Sequence, residues 1–556
     1  MYTIGFDFGD TVIQLKELSF AVRLFTEQNA YAPDPDKVTI VETNERALLT
    51  ATGLSWAGNQ EKAPGEIQLE ITLGTDGRYV INARGSHGTE VCKSILVQVF
   101  NLNLTSMQFD ENNKTVLNVH DYHRDIKAKH YPINMKMPLA FIEDHQQNKW
   151  FALSKDNKVR LKGFASHFDP YLETQVLDLA HEEDKRYRTN EIVMPPWHLG
   201  CYEDVESIIL ERCEDLENNF NLVPFRQRED TPAWLEDIKL VTILHGEHWT
   251  GHVFNTFADM EKTLKSITEK IDGKHVLAFL PGWDGRYYYN YPEYEPSARM
   301  GGKEGFKGFV QKAHELGVKV VPMLGANNAN IEVMKKLGLE DAVIKDAWGL
   351  EQRCDWVDWD YDLSTENNCM LANMGHPGYL QHMIERSKYL IETYKVDGIF
   401  LDISFWWAND PHYSPYEGLV SWAKEMKKNR PDLLLFGENS YDALWGVFSM
   451  FHEKGFPAGH GSALYRYAVQ THYLAYPAPG MGSGGIHEFA WKENGQPWER
   501  HHPELIPTLS IVQNTIQNHP KAVENIIKQA KAWKQFYPGV SNLKWDEARS
   551  SIPSLK

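Results

Sequence analysis

Two acidic residues stand directly after apolar runs that are typical of buried strands. Asp402 ends the run Gly398-Ile-Phe-Leu, and Glu438 follows Leu433-Leu-Leu-Phe-Gly. If the two runs are neighbouring strands, about 4.8 Å apart, their carboxylates could approach to about 5–5.5 Å. That separation suits a double displacement at a glycosidic carbon, in which one carboxylate attacks and the other transfers a proton. We therefore predict Asp402 as the nucleophile and Glu438 as the acid/base.

Polar and aromatic residues follow the other apolar runs in the same way. Planar polar groups can hydrogen-bond sugar hydroxyls, and aromatic faces can pack on the C–H bonds of a sugar ring. Asp284 is expected to bind hydroxyls, although Asp284-Gly285 is also the composition of a simple turn. The predicted substrate-binding residues are Trp283, Asp284, Arg286, His245, His248, Asn327, Trp406, Trp407 and Asn439.

Two clusters of metal-ligand residue types raise the alternative of a metal site. The first consists of His245, Glu247, His248 and His252. Its spacing differs from H-E-x-x-H, so a zinc site is not favoured over substrate contact or packing. The second consists of Asp355, Asp358, Asp360 and Asp362. It could offer oxygen ligands to calcium but lacks the glycine and terminal glutamate of an EF-hand. We predict neither a catalytic metal nor an organic cofactor, and a structural calcium remains open.

The elements that would position these residues fall into two parts. Residues 1–202 contain short runs of period-two alternation between turns rich in Gly, Asn, Asp and Pro, the pattern of an antiparallel β-sandwich. A linker with a helix is expected over 203–232. Over 233–556, apolar strands alternate with amphipathic helices, which indicates a parallel sheet. We predict a (β/α)8 TIM-type barrel with a C-terminal helix, whose active site lies at the carboxyl ends of the strands. A doubly wound sheet is the alternative, but the first strand lacks a glycine-rich phosphate turn.

A family resemblance rests on the two acidic segments. Asp397-Gly-Ile-Phe-Leu-Asp402 and Leu435-Phe-Gly-Glu438-Asn resemble retaining α-glycosidases of the α-amylase type. They are more similar still to distant relatives of those enzymes, the endo-α-N-acetylgalactosaminidase-like glycoside hydrolases. The resemblance covers about residues 235–450. It implies a β-sandwich ahead of a barrel, a nucleophile at Asp402 and an acid/base at Glu438.

The sequence departs from the α-amylase pattern at two points. Phe400 occupies the position of an arginine two residues before the nucleophile, and there is no late His-Asp pair to supply a third carboxylate. Amylase activity and starch are therefore not predicted. Another cation would have to orient Asp402, and Arg286 is the candidate.

Composition limits the partners of the chain. The net charge of −19 over 556 residues disfavours nucleic acid and anionic membrane surfaces. No apolar run approaches the roughly 18 residues of a membrane helix, and the first ten residues indicate a strand instead of a signal peptide. Five cysteines without a C-x-x-C pair favour a reducing compartment, so a cytoplasmic location is expected.

These observations together predict an enzyme that acts on an oligosaccharide or glycoside. The expected activity is that of a glycoside hydrolase that cleaves an α-linkage with retention of configuration. Two alternatives remain open. A transglycosylase would use the same covalent intermediate with a sugar acceptor. A non-catalytic carbohydrate-binding protein would keep the scaffold but is expected to lose one of the two carboxylates, and both are present.

Overall fold

The computed structural model describes residues 11–109, 114–116, 129–169, 174–220, 222–248, 250–286, 288–353, 362, 364, 368–428, 430–438, 441–453, 466–472, 505–513, 515–518 and 520–534. The chain divides into two compact units, with the boundary between Asn221 and Leu222. A short later segment, Asn409–His412, belongs to the first unit. The first unit also includes the helix that the sequence placed in a linker.

The first unit is built mainly from strands. Those in its described residues are β1 (Ile13–Leu15), β2 (Leu18–Thr26), β3 (Ala30–Pro33), β4 (Val38–Glu42), β5 (Arg46–Ala51), β6 (Leu54–Trp56), β7 (Glu61–Ala63), β8 (Gly65–Leu73), β9 (Tyr79–His87), β10 (Cys92–Phe100), β11 (Leu104–Gln108), β12 (Lys114–Val116), β13 (Lys129–Tyr131), β14 (Leu139–Asp144), β15 (Lys149–Ser154), β16 (Lys162–Asp169), β17 (Thr174–Glu182), β18 (Glu191–Val193) and β19 (Trp197–Cys201). One helix follows them, α1 (Val205–Asn219), and the Asp204 side chain caps its N-terminus.

The strands of the first unit form two antiparallel sheets. One runs β13-β16-β17-β10-β2-β3-β6-β7, with β1 paired to β2, and the other runs β12-β11-β14-β15-β19-β9-β8-β5-β4, with β18 paired to β9. Aromatic side chains from the two sheets pack together. The ring centroids of Phe20 (β2) and Tyr79 (β9) are 5.9 Å apart, and those of Phe164 (β16) and Trp197 (β19) are 4.9 Å apart. The period-two alternation places these apolar side chains on one face of each sheet. The two packed sheets are consistent with an N-terminal sandwich.

The second unit combines strands and helices. Its strands are β20 (Leu240–Leu244), β21 (Val276–Leu280), β22 (Lys319–Gly325), β23 (Asn328–Asn330), β24 (Cys369–Leu371), β25 (Gly398–Asp402), β26 (Leu434–Glu438), β27 (Met450–Glu453), β28 (Val469–His472) and β29 (Thr508–Ile511). Its helices are α2 (Phe257–Thr268), α3 (Gly302–Glu315), α4 (Ile331–Leu337), α5 (Pro377–Tyr394), α6 (Pro415–Lys427), α7 (Thr515–Asn518) and α8 (Pro520–Ala532). No helix in the described part of the chain is long and apolar enough to cross a membrane.

Eight strands of the second unit form one parallel sheet in the order β28-β27-β26-β25-β22-β21-β20-β29. Strands β20, β21 and β26 are buried at every residue, because helices cover this kind of sheet on its outer face. Three phenylalanines from its central strands pack together. The ring centroid of Phe400 lies 4.6 Å from that of Phe279 and 4.7 Å from that of Phe436. The position where the α-amylase pattern has an arginine is therefore a core position here.

The predicted (β/α)8 TIM-type barrel was wrong. Regular alternation of strand and helix ends after α6, because β26 and β27 are joined through a short 3-10 helix (Asp442–Gly446), and the described residues show no α-helix between β27 and β29. A separate antiparallel pair, β23 and β24, interrupts the connection from β22 to β25. The end strands β28 and β29 share no ladder in the described residues, where one isolated bridge joins Thr471 to Ile506. The sheet is a parallel half-barrel within a chain dominated by antiparallel strands.

Candidate functional site

Asp402 and Glu438 are the last residues of two neighbouring parallel strands. The register pairs Leu401 of β25 with Gly437 of β26, one position before the two acids. The N–H of Ile403, the residue after Asp402, donates a hydrogen bond of 3.0 Å to Glu438 Oε2. The strand ends are fastened further by Ser404, whose hydroxyl accepts from the Glu438 N–H at 3.0 Å and donates to the Glu438 carbonyl at 3.3 Å.

This hydrogen bond limits the separation of the two carboxyl groups. Standard bond lengths place Asp402 Cγ no more than about 6 Å from the Ile403 nitrogen along the chain. Adding the 3.0 Å hydrogen bond puts Glu438 Oε2 at most about 9 Å from Asp402 Cγ. Glu438 is 2% exposed, and Asp402 is half-buried. A buried acid beside a more accessible one, at such a distance, is compatible with either of the carboxylate geometries found in glycosidases.

Asp402 also accepts a hydrogen bond from a tyrosine. The Tyr288 hydroxyl donates to Asp402 Oδ2 at 2.8 Å. Tyr288 belongs to the loop after β21, in which the Tyr294 hydroxyl bonds both the carbonyl and the N–H of Gly325. Gly325 is the register partner of Asp402. The loop after the second strand of the sheet is therefore attached to the ends of the third and fourth strands.

The turn after Asp402 has an unusual backbone. Ile403 has a φ of +54°, in the left-handed region that β-branched residues rarely adopt. Asn327 Nδ2 donates to the Ile403 carbonyl at 2.9 Å, and the Trp406 N–H donates to the same oxygen at 3.2 Å. Because such a conformation costs about 1–3 kcal/mol, these bonds and the Glu438 carboxylate must hold it. Asn327, predicted to bind substrate, is fully buried and supports this turn.

Asp284 carries a buried carboxyl group in the loop after β21. It is 3% exposed, and no group of another described residue hydrogen-bonds to either of its carboxyl oxygens. Burial raises the pKa of Asp284 well above its usual value, and the nearby Glu247 carboxylate raises that pKa further. Glu247 itself accepts hydrogen bonds from Ser297 at 3.2 Å and from Arg299. The raised pKa favours the protonated form of Asp284, which can both donate and accept hydrogen bonds.

Trp283 and Arg286 both contact aromatic rings. Trp283 is fully buried, donates its indole N–H to the Met323 carbonyl at 2.8 Å and stacks on Phe306. It is a core residue and does not present its face to a ligand. The Arg286 guanidinium lies 3.7 Å from the centroid of the Tyr289 ring. The Tyr288 hydroxyl is one donor that the structure places on Asp402.

The two predicted histidines are neutral. Burial lowers the pKa of His245 to about 3, with His248 and His452 adding to the effect. Burial likewise lowers the pKa of His248 to about 4, and its Nδ1 lies 2.6 Å from the Thr250 hydroxyl. Among the described residues, no group of three or more His, Cys, Asp or Glu side chains could hold a metal ion. Neutral imidazoles are suited to packing or to hydrogen bonds with uncharged groups.

The remaining predicted residues follow β25 and β26. Trp406 is half-buried and donates its indole N–H to Gln352 at 2.8 Å, whereas Trp407 is buried. Asn439 lies outside the described residues, as do three of the four aspartates considered for calcium, Asp355, Asp358 and Asp360.

Sequence reasoning missed three groups in this site. Neither Tyr288 nor Ser404 was predicted as a site residue. Glu247 was considered only as a metal ligand. The run of tyrosines beside Asp284 carried a usable signal, because hydroxyl-bearing aromatics in a turn-rich loop often find a polar partner when buried. Nothing in the sequence indicated the left-handed conformation of Ile403.

Comparisons with known proteins concern the family and the fold. Residues 218–429 match a family described as a domain of unknown function, DUF6259. No curated protein matches the chain. Among solved structures, the ligand-free α-N-acetylgalactosaminidase NagBb from Bifidobacterium bifidum is similar with a TM-score of 0.63 at 12% identity, over 94% of this chain and 93% of that one.

Two further solved structures are similar over most of the chain. An α-galactosidase from Lactobacillus brevis has a TM-score of 0.52 at 11% identity, over 95% of this chain and 71% of that one. A GH31 family sulfoquinovosidase from E. rectale has a TM-score of 0.52 at 8% identity, over 94% of this chain and 83% of that one. The chain therefore has a fold similar to that of these glycoside hydrolases.

Proposed function

We propose that this protein is a glycoside hydrolase that cleaves an α-glycosidic bond by double displacement. The observation that carries the proposal is the hydrogen bond from the Ile403 N–H to Glu438 Oε2, which holds one carboxylate beside the residue that bears the other. The similarity in fold to glycoside hydrolases supports it.

The two carboxylates have different roles in this proposal. Asp402 attacks the anomeric carbon while Glu438 gives its proton to the departing glycosidic oxygen, which leaves a glycosyl ester on Asp402. Water then attacks the same carbon, Glu438 removes a proton from that water, and the ester bond breaks with its electron pair returning to Asp402. Asp402 suits the first role because a short side chain at a strand end is held rigidly, as a nucleophile must be.

Asp284 is proposed to bind the sugar. A buried carboxyl group with no hydrogen-bond partner among the described residues can accept from one sugar hydroxyl and, when protonated, donate to another. An unsatisfied buried polar group is costly, so a ligand that supplies the missing partners gains affinity. The similar solved structures are named as enzymes for α-N-acetylgalactosaminides and α-galactosides. Aryl α-glycosides of these two sugars are therefore the first substrates to assay.

The roles are tested with two variants and substrates that differ in leaving group. Asp402→Asn should abolish turnover of every aryl α-glycoside. Glu438→Gln should lower turnover about 10²–10⁴-fold on phenyl glycosides, as loss of general acid–base catalysis does. It should spare the first step on dinitrophenyl glycosides, whose leaving group needs no proton, and azide should then yield a glycosyl azide. Proton NMR of the first product should show the α-anomer.

Asp397→Asn is the matched control. Asp397 precedes β25 at the end opposite Asp402, where it pairs with His314 and Lys319. This variant should lose stability but keep its turnover per folded molecule. Equal losses of Glu438→Gln on phenyl and dinitrophenyl substrates would contradict the acid/base role, and residual turnover by Asp402→Asn would contradict the nucleophile.

A further inference from the structure

We propose that Tyr288 is a positioning residue that acts through Asp402: its hydroxyl holds Oδ2 and stabilises the carboxylate as a leaving group when the glycosyl ester breaks. This inference rests on the proposed function. Its structural basis is the 2.8 Å hydrogen bond from the Tyr288 hydroxyl to Asp402 Oδ2.

The position of Tyr288 is fixed by packing and by its backbone. Its side chain is 2% exposed, and its ring meets Tyr291 edge to face at 5.2 Å. Its φ is +63°, in the left-handed region that residues with a side chain rarely adopt. Tyr294 has a φ of +49° in the same loop and bonds both backbone groups of Gly325. Positive φ angles in a buried loop whose tyrosine binds the proposed nucleophile are backbone outliers of the kind that cluster at functional sites.

The chemistry of the hydrogen bond favours the second step of the reaction. Asp402 carries a full negative charge in the free enzyme and loses it when the ester forms. A hydroxyl that donates to the carboxylate is a stronger partner for the ion than for the ester, because hydrogen bonds to charged groups are the stronger ones. The bond therefore strengthens as the ester breaks and charge returns to Asp402, and it assists the departure.

Each step keeps the phenol protonated. Attack through Oδ1 forms the bond to the anomeric carbon while the glycosidic oxygen leaves with the Glu438 proton, and Oδ2 remains on the Tyr288 hydroxyl. In the second step, water forms the new bond to that carbon and gives its proton to Glu438. The carbon–Oδ1 bond breaks, and its electron pair returns to the carboxylate that Tyr288 holds.

The test is Tyr288→Phe, which removes only the hydroxyl. On a dinitrophenyl α-glycoside, whose good leaving group makes ester hydrolysis rate-limiting, kcat should fall about 10- to 100-fold, the effect of losing a hydrogen bond to a charged group. KM should fall by the same factor because the ester accumulates, and kcat/KM should stay within about threefold of wild type. Intact-protein mass spectrometry of the quenched variant should show the glycosyl adduct.

Tyr394→Phe is the matched control. Tyr394 is also a buried tyrosine, and its hydroxyl lies 3.2 Å from that of Tyr389 at the end of α5. Its loss should lower the melting temperature without separating kcat from KM. If Tyr288→Phe keeps the wild-type kcat, or loses kcat with an unchanged or higher KM, the inference is overturned while the proposed hydrolase stands. Turnover by Asp402→Asn would instead overturn the proposed function itself.

Discussion

Replacing Asn327 with alanine tests whether the strained turn after Asp402 controls the reaction. Asn327 Nδ2 donates to the carbonyl oxygens of Ile403 and Trp406, at 2.9 and 3.4 Å, from a fully buried position. The left-handed conformation of Ile403 costs about 1–3 kcal/mol, so a turn that loses this support can relax by a similar free energy. Relaxation would move the Ile403 N–H away from Glu438. Each 1.4 kcal/mol that favours the relaxed turn lowers the population of molecules with paired carboxylates by about tenfold.

We expect Asn327→Ala to lower kcat/KM about 10- to 100-fold and the free energy of unfolding by about 1–3 kcal/mol. Urea unfolding and initial rates on an aryl α-glycoside, measured well below the unfolding midpoint, separate the two effects. Asn373→Ala is the control, because Asn373 is also buried and bonds the Tyr413 carbonyl and the Gly375 N–H. It should lose similar stability and keep kcat/KM.

A second substitution makes the reasoning refutable. Glycine adopts a positive φ without steric cost, so Asn327→Ala combined with Ile403→Gly should be more active than Asn327→Ala alone, even though it buries less apolar surface. If Asn327→Ala keeps wild-type kcat/KM, or if glycine at position 403 gives no recovery, the turn does not control the pair of carboxylates.

Two further predictions concern the sheet that carries the site. Burial alone would raise the pKa of Asp397, but bonds such as that from His314 outweigh it and hold the pKa below its usual value. A carboxyl group with a depressed pKa stabilises the fold at pH values above its unfolded-state pKa of about 3.9, and this stabilisation is lost as the pH falls. The melting-temperature deficit of Asp397→Asn should therefore be present at pH 7 and shrink at pH 3. A deficit that is the same at both pH values would contradict this prediction. Gly325→Ala would place a Cβ 2.7 Å from the Tyr291 ring, so it should destabilise the protein by about 1–3 kcal/mol in urea unfolding, and an unchanged midpoint would contradict this packing.

The sequence predicted the elements that carry the acids better than the architecture around them. Apolar runs located β25 and β26 to within one or two residues, because buried parallel strands are continuous in apolar residues. Gly317 follows α3 in a left-handed conformation, as glycine commonly does just past the end of a helix. The regular barrel was extrapolated from the alternation of strands and helices up to α6 into the region after it, where the described residues show no α-helix before α7.

The side chains of the site were harder to predict, because their roles depend on contacts distant in sequence. Trp283 stands in a glycine-rich segment that suggested exposure, yet it packs on α3. Tyr288 bonds a carboxylate 114 residues away. Ile403 has high strand propensity, and only tertiary contacts can impose its conformation. Asp284 was chosen for its chemistry, and the structure adds that burial raises the pKa of its carboxyl group.

The main-chain N–H of Ile403, next to Asp402, binds the Glu438 carboxyl group. The main chain therefore helps to set the distance between the two acids. In glycosidases, that spacing decides whether the product keeps or inverts the anomeric configuration. The groups proposed to select the sugar, such as Asp284, stand instead on the loop after β21. Replacing those groups can change which glycoside is accepted and leave the stereochemical outcome untouched. In a set of engineered variants, substrate preference should therefore diverge long before the stereochemistry does.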